Sequence, residues 1–196
     1  MTTPDSAIVV VSGLPRSGTS MMMNVLTAGG LAAVNDQIRT ADIDNPKGYY
    51  EFERVKKLPQ GDTTWLEDAQ GKCIKVISAL LPFLPPTHTY RVIFMHRKLE
   101  EVMESQRKML ERRKQPTTQE DNIALLLQQH VEDVREWVAA QTNIALFDCD
   151  YNSMLVTPES WVSQINAFLG GGLDPVAMRS AVDTALYRNR VSNITS

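Results

Sequence analysis

The 196-residue chain carries 20 Lys and Arg against 23 Asp and Glu, with 43% apolar residues, 10 Gly, 10 Pro and 2 Cys. That length suits one compact domain over residues 1–196, and the near-average apolar and charged fractions exclude wholesale disorder, collagen and coiled coil. A net charge of −3 argues against coating nucleic acid or acidic membrane, so an anionic ligand would need positive charge concentrated in one place.

In chain order, the β-branched run at 7–11 predicts a strand buried on both faces. A helix follows over 18–28 and stops at Gly29-Gly30. The stretch 34–72 is polar and punctuated by Pro and Gly, with a short helix predicted at 53–58; long ordered connections of this kind often carry function. Short apolar runs at 73–77, 91–95 and 143–147 predict further strands, separated by helical patterns at 98–114 and 121–140. In the second of these, Ile123, Leu126, Leu127, Val131, Val134, Trp137 and Val138 recur at helical spacing, and Thr117 with Glu120 forms a capping box before it. Thr157-Pro158 opens another helix, with Trp161, Ile165, Phe168 and Leu169 turned inward and a Gly170-Gly171-Gly172 stop; Asp174-Pro175 opens a last short one.

Strands alternating with helices imply an α/β fold, a three-layer sandwich with a short parallel sheet covered on both faces. No apolar run approaches the roughly 18–20 residues of a membrane helix. The run at 7–11 is too short for a signal-peptide core, and Cys73 and Cys149 cannot build a disulfide framework or a four-thiolate zinc site. A cytoplasmic protein with no membrane or nucleic-acid partner is expected.

The strongest motif is Val9-Val10-Val11-Ser12-Gly13-Leu14-Pro15-Arg16-Ser17-Gly18-Thr19-Ser20. A buried strand runs into a loop bounded by Gly13 and Gly18, spaced G-x-x-x-x-G, and then into a helix. That order lets successive backbone N–H groups curl round a phosphate at the helix N-terminus, with Thr19 and Ser20 adding hydroxyls. A nucleoside triphosphatase would continue G-K-[ST], whereas Thr19 stands at the lysine position and the loop carries its cation at Arg16. Phosphoryl transfer relies on that lysine together with Mg²⁺. A less highly charged group, such as a sulfuryl, could be handled by Arg16 without a metal.

Pro15-Arg16-Ser17-Gly18-Thr19-Ser20 resembles the 5′-phosphosulfate loop, P-[RK]-S-G-T-[ST], of the sulfotransferases that use 3′-phosphoadenosine 5′-phosphosulfate (PAPS). The resemblance implies a fold related to P-loop nucleoside triphosphate hydrolases, PAPS as co-substrate and no metal. It also implies cofactor contacts from Arg16, Ser17, Gly18, Thr19 and Ser20. A second family element places an arginine at a strand end and a serine eight positions later, matched by Arg97 and Ser105; in the family these hold the 3′-phosphate. The usual Asp/Asn-Pro after the arginine is replaced by Lys98-Leu99.

Asn45-Pro46-Lys47-Gly48-Tyr49-Tyr50-Glu51 resembles the N-P-x-G-[YF]-x-E segment of bacterial members. It makes Glu51 the candidate base for the proton of a hydroxyl or amine acceptor, chemistry that wants a partly desolvated carboxylate. The alternative for Glu51 is a solvated carboxylate beside a turn, and Tyr49 and Tyr50 either line an acceptor pocket or cover the sheet edge. Lys75 falls where many relatives carry Lys-Asp-Pro; it either neutralises charge on the leaving phosphate or faces water from an edge strand. Arg188 falls in a C-terminal arginine stretch similar to one in relatives that reaches the 3′-phosphate.

His130 reads as a core-edge histidine, and His96 as a neighbour of Arg97 within reach of ligand. His88 lies in a Pro-rich turn, so the three histidines have no metal-ligand spacing. Asp148 and Asp150 read as caps or turn formers, and the basic run at 107–114 as a solvated helix face. The expected activity is sulfuryl transfer from PAPS to a small-molecule or glycan acceptor. The rivals are an ATP-binding P-loop kinase or triphosphatase, and a non-catalytic nucleotide-binding protein of the same fold.

Overall fold

The computed structural model describes residues 6–36, 50–112, 114 and 122–182. The capping box of Thr117 and Glu120 lies outside them. The apolar run at the start becomes β1 (Ile8–Gly13), all six residues of which are buried. Alternation along the strand sends Ile8 and Val10 into one core and Val9 and Val11 into the other. A strand with no polar face belongs inside a sheet, and β1 pairs in parallel with β2 (Cys73–Lys75) on one side and β3 (Tyr90–His96) on the other. β4 (Ile144–Asp150) adds in parallel to β3, giving the order β2-β1-β3-β4.

The helices are α1 (Thr19–Ala28), α2 (Leu66–Ala69), α3 (Leu99–Arg112), α4 (Ile123–Ala139), α5 (Tyr151–Val156), α6 (Pro158–Phe168) and α7 (Pro175–Ala181). Residues of α1, α5, α6 and α7 share a core with Val9 and Val11. Residues of α2 and α4 and the 3-10 segments Glu53–Gln60 and Ser78–Phe83 share the other core with Ile8 and Val10. This is the expected α/β three-layer arrangement with a short parallel sheet. Each fully buried Val or Ile of β1 contributes about 1.5–3 kcal/mol.

The chain departs from its sequence-based expectations at identifiable points. β2 ends at Lys75 because the backbone turns at Ile77 into a 3-10 segment, although Val76 N–H still donates to the Val11 carbonyl. α5 was not expected; the Asp150 carboxylate caps it by accepting from Ser153 N–H at 2.6 Å. Leu126 is 57% exposed rather than inward, whereas Val134 and Val138 further along α4 are buried. Helical periodicity fixes which face is apolar, not how far the opposing layer extends. In α6, Ile165 and Val162 are fully inward while Trp161, Phe168 and the following Leu169 are only partly covered.

The path from β1 leads to β2 on one side, while β3 lies on the other and leads on to β4. Connections therefore part company at the carboxyl ends of β1 and β3, where open α/β sheets leave a crevice for ligands. Among the described residues, no helix is long and apolar enough to cross a membrane.

Candidate functional site

The loop after β1 is held by backbone geometry that a side chain would spoil. Gly13 has φ +142°, and a Cβ there would lie 2.6 Å from both the Met95 carbonyl oxygen and Ser17 Oγ. Gly18, φ +99°, precedes the first turn of α1, and a Cβ there would come within 2.3 Å of the Tyr151 ring. Between them Arg16 adopts the left-handed region at φ 72°, and Ser17 N–H donates to the Leu14 carbonyl at 3.2 Å. The start of α1 has no side-chain cap and no acidic residue in its first turn. Its leading amides and the helix dipole thus favour an anion. Ser17 Oγ is buried with no hydrogen-bond partner among the described residues. Leaving a buried hydroxyl unpaired costs about 1–3 kcal/mol, so this loop fits a ligand oxygen.

Arg97 follows β3 on the same side of the sheet as α1, because it shares the strand parity of Ile93 and Met95 in the core against that helix. Its NH1 donates to the Arg16 carbonyl at 3.2 Å, and its Nε to Glu101 Oε2 at 3.0 Å. The Glu101 side chain is fully buried and that of Arg97 is 8% exposed. Asn152 Nδ2 donates to the same Glu101 oxygen at 3.1 Å, and the Arg97 guanidinium carbon lies 4.7 Å from the centre of the Tyr151 ring. Arg16 Nε in turn donates to Ser105 Oγ at 3.0 Å. The loop after β1 is thus joined, across more than 80 residues of sequence, to the end of β3 through Arg97 and to the middle of α3 through Ser105.

Lys75 and Glu51 form a second cluster. The register pairs Val11 with Lys75, which turns the lysine toward α1. Its Nζ donates to Ser20 Oγ at 3.3 Å and lies 4.0 Å from Glu51 Oε1, with side-chain exposures of 14% and 28% for Lys75 and Glu51. β2 is an edge strand, yet Lys75 faces the loop and not open water. Tyr50 is partly buried against the core, and its hydroxyl is hydrogen-bonded to Thr27 Oγ1 at 3.2 Å, which covers the sheet. Residues 45–49, including Tyr49, and Arg188 lie outside the described residues.

The structure moves the other candidates away from this crevice. His96, adjacent to Arg97, points to the opposite face, where its Nε2 lies 2.6 Å from Asp148 Oδ1 and 3.2 Å from Arg135 NH1. Asp148 is therefore the ion-pair partner of Arg135 and a hydrogen-bond partner of His96, not a cap. Burial pushes its carboxyl up, but the hydrogen bonds from Arg135 and His96 outweigh that and hold it below its usual range. His130 is hydrogen-bonded to the buried Ser78 hydroxyl at 2.8 Å, a packing role. In the basic run, Arg107 pairs with Glu104 and Glu111, and Lys108 with Glu104, on an exposed helix face. Burial pushes the Cys73 and Cys149 thiols up to about 12, so both are protonated and inert at neutral pH. Among the described residues no group of three or more His, Cys, Asp or Glu is placed to hold a metal.

Sequence reasoning missed Glu101, Tyr151 and Asn152. Glu101 had a signal, its i,i+4 spacing from Arg97. Tyr151 and Asn152 had only their place after a strand.

No protein-family model and no curated protein matches the chain. Solved structures do. Mouse sulfotransferase SULT7A1 complexed with PAP matches with a TM-score of 0.59 at 16% identity, over 95% of this chain and 68% of that one. The sulfotransferase domain from the curacin biosynthetic pathway matches at 0.54 and 12% identity, over 94% and 92% of the two chains. Sulfotransferase STF1 from Mycobacterium tuberculosis H37Rv matches at 0.52 and 15% identity, over 97% and 74%. The chain has the sulfotransferase fold.

Proposed function

We propose that this protein is a PAPS-dependent sulfotransferase, acting in the cytoplasm on a small-molecule or glycan acceptor. The observation that carries the reading is the meeting of Arg16, Arg97 and Ser105, which places the loop after β1 and the end of β3 around one crevice. The PAP complex of the mouse neighbour supports the same ligand class. PAPS supplies a sulfuryl group activated by its anhydride link to phosphate.

The amides of residues 16–20, with the hydroxyls of Ser17, Thr19 and Ser20, hold the 5′ end, and the close approach at Gly18 fixes their direction. Arg97 and Ser105 hold the 3′-phosphate, Arg97 being oriented by Glu101 and Tyr151. Such preorganised donors need no rearrangement as charge develops. Glu51 takes the proton from the acceptor hydroxyl or amine. Lys75 ties Glu51 to Ser20 and places a positive charge beside the group that departs.

Calorimetric titration with 3′,5′-bisphosphoadenosine, against ATP plus Mg²⁺, tests the reading. The bisphosphate is expected to bind more tightly and without metal, and Arg97→Ala to weaken it at least tenfold, or ~1.4 kcal/mol. Preference for ATP with Mg²⁺ would establish the kinase or triphosphatase alternative. Tight bisphosphate binding without turnover across hydroxyl and amine acceptors would establish a non-catalytic protein.

A further inference from the structure

Resting on that reading, we infer that Asp36 is the positioning residue for the Glu51 carboxylate. It clamps the backbone on both sides of Glu51 and so holds the proposed base beside Lys75 and the loop after β1. One residue builds the clamp through its backbone and its side chain together. Asp36 N–H donates to the Glu51 carbonyl at 3.3 Å, and Asp36 Oδ2 accepts from Glu53 N–H at 2.7 Å.

Asp36 is reached from a segment anchored to the sheet. The Ala32 carbonyl accepts from Cys73 N–H at 2.8 Å, and Val34 N–H donates to the Cys73 carbonyl at 2.8 Å. Ala33 thus pairs in parallel with Cys73 on the outer edge of β2, and the chain travels with that strand toward its Lys75 end. The 3-10 segment Glu53–Gln60 begins after Phe52, which offers no side-chain cap. Its leading N–H groups need acceptors, and Asp36 supplies one from 17 residues upstream. A carboxylate suits this task, because a hydrogen bond to an ionised acceptor is stronger than one to a neutral group.

The neighbours of Glu51 show what the clamp adds. Tyr50 packs into the core against α1, with its hydroxyl hydrogen-bonded to Thr27 Oγ1 at 3.2 Å. Phe52 packs against the opposite core, edge to face with Trp65 at 5.3 Å. The segment therefore crosses the sheet edge at Glu51. The two rings hold its side chains, and Asp36 holds its backbone. Tolerance there is small: Glu51 Oε1 lies 4.0 Å from Lys75 Nζ, at the outer limit of an ion pair. A slip of about 1 Å would part them, and misplacement on that scale slows a reaction about a hundredfold.

The test uses a carbodiimide, which joins a carboxylate to an amine only where the two meet, with the product quantified by mass spectrometry. It is run on the wild-type chain and on Asp36→Ala, Asp36→Asn, Glu53→Pro and Asp174→Ala. Lys75 and Glu51 are 14% and 28% exposed, within reach of the reagent. Glu53→Pro removes the N–H that Asp36 accepts from, at a first helical position that suits proline, so it breaks the clamp in a chain that keeps Asp36. Asp174 caps α7 by accepting from Val176 and Ala177 N–H, so its loss reports an absent cap alone. The Lys75–Glu51 crosslink should form in wild type and Asp174→Ala, fall about fivefold or more in Asp36→Ala and Glu53→Pro, and return in part in Asp36→Asn, which keeps a side-chain oxygen. Sulfuryl transfer from PAPS to p-nitrophenol, octanol and glucosamine is followed in parallel. Asp36→Ala and Glu53→Pro should lower kcat about tenfold or more while KM for PAPS changes less than about twofold. Thermal melts check folding, and Glu53→Pro decides the matter if Asp36→Ala does not fold. Crosslink yield and kcat equal to those of Asp174→Ala in the clamp variants would make Asp36 a cap only and overturn the inference, as would an equal change in kcat and KM or a wild-type chain without the crosslink. A wild-type chain that forms the crosslink yet transfers to none of these acceptors sinks the functional reading itself, an outcome told apart from the others by the wild-type measurements alone.

Discussion

Replacing Glu101 by Gln should be among the most damaging single-atom changes in the molecule. Glu101 is fully buried, accepts from Arg97 at 3.0 Å and from Asn152 at 3.1 Å, and faces an Arg97 side chain only 8% exposed. Gln keeps the shape and an acceptor oxygen but leaves the guanidinium without its counter-charge. Breaking a buried pair from one side costs about 3–5 kcal/mol, and the retained acceptor puts this case near about 3. In a domain of this size each kcal/mol moves Tm by about 2–4 °C, so a fall of about 6–12 °C is expected by circular dichroism. The exposed pair of Arg107 with Glu104 is the control, since Arg107 is 51% exposed and solvent screens such pairs. Arg107→Gln should therefore shift Tm far less than Glu101→Gln. Arg97→Gln combined with Glu101→Gln should cost less than the sum of the single changes, because the two side chains are in direct contact and their effects couple. A Glu101→Gln protein melting within about 2 °C of wild type would refute the reasoning.

Two further outcomes follow from the geometry. Gly18→Ala should weaken 3′,5′-bisphosphoadenosine at least tenfold and lower Tm, since φ is +99° and the new Cβ would lie 2.3 Å from Tyr151; left-handed backbone alone costs about 1–2 kcal/mol, and unchanged calorimetry and melting would exclude the proposed loop conformation. Glu104 is held down at about 2 by its hydrogen bond to Arg107, against burial, with Lys108 adding to the effect. A depressed carboxyl stabilises the fold above its ordinary range, 4.5, and loses that contribution as pH falls toward about 2. Urea midpoints should therefore fall between about pH 5 and about pH 2.5, and fall less steeply in Glu104→Gln; parallel slopes would show that Glu104 is not part of the acid transition.

The layered α/β fold was legible before any coordinates because its signals are local. A β-branched run with no polar face, a glycine-bounded loop and helices at regular spacing each state their own structure. The two glycines of the loop were legible as well, since Gly13 and Gly18 are needed where backbone and neighbouring side chains come this close. Arg97 and Ser105 were picked out only by resemblance to a family element, taken together with that loop.

What the chain could not state by itself was which groups meet across distance. Strand order β2-β1-β3-β4 brings Lys75 and Arg97 to opposite sides of one loop, and no local pattern encodes that order. Pleat parity then divides neighbours: Arg97 turns toward α1 and Arg16, whereas His96 turns away to Asp148 and Arg135. Glu101, Tyr151 and Asn152 became neighbours of Arg97 only once tertiary packing put a carboxylate, a ring and an amide around one guanidinium. Sequence fixes which residues each element offers through short-range sterics and periodicity. Which of them share an environment depends on long-range burial, which is settled by the assembled sheet.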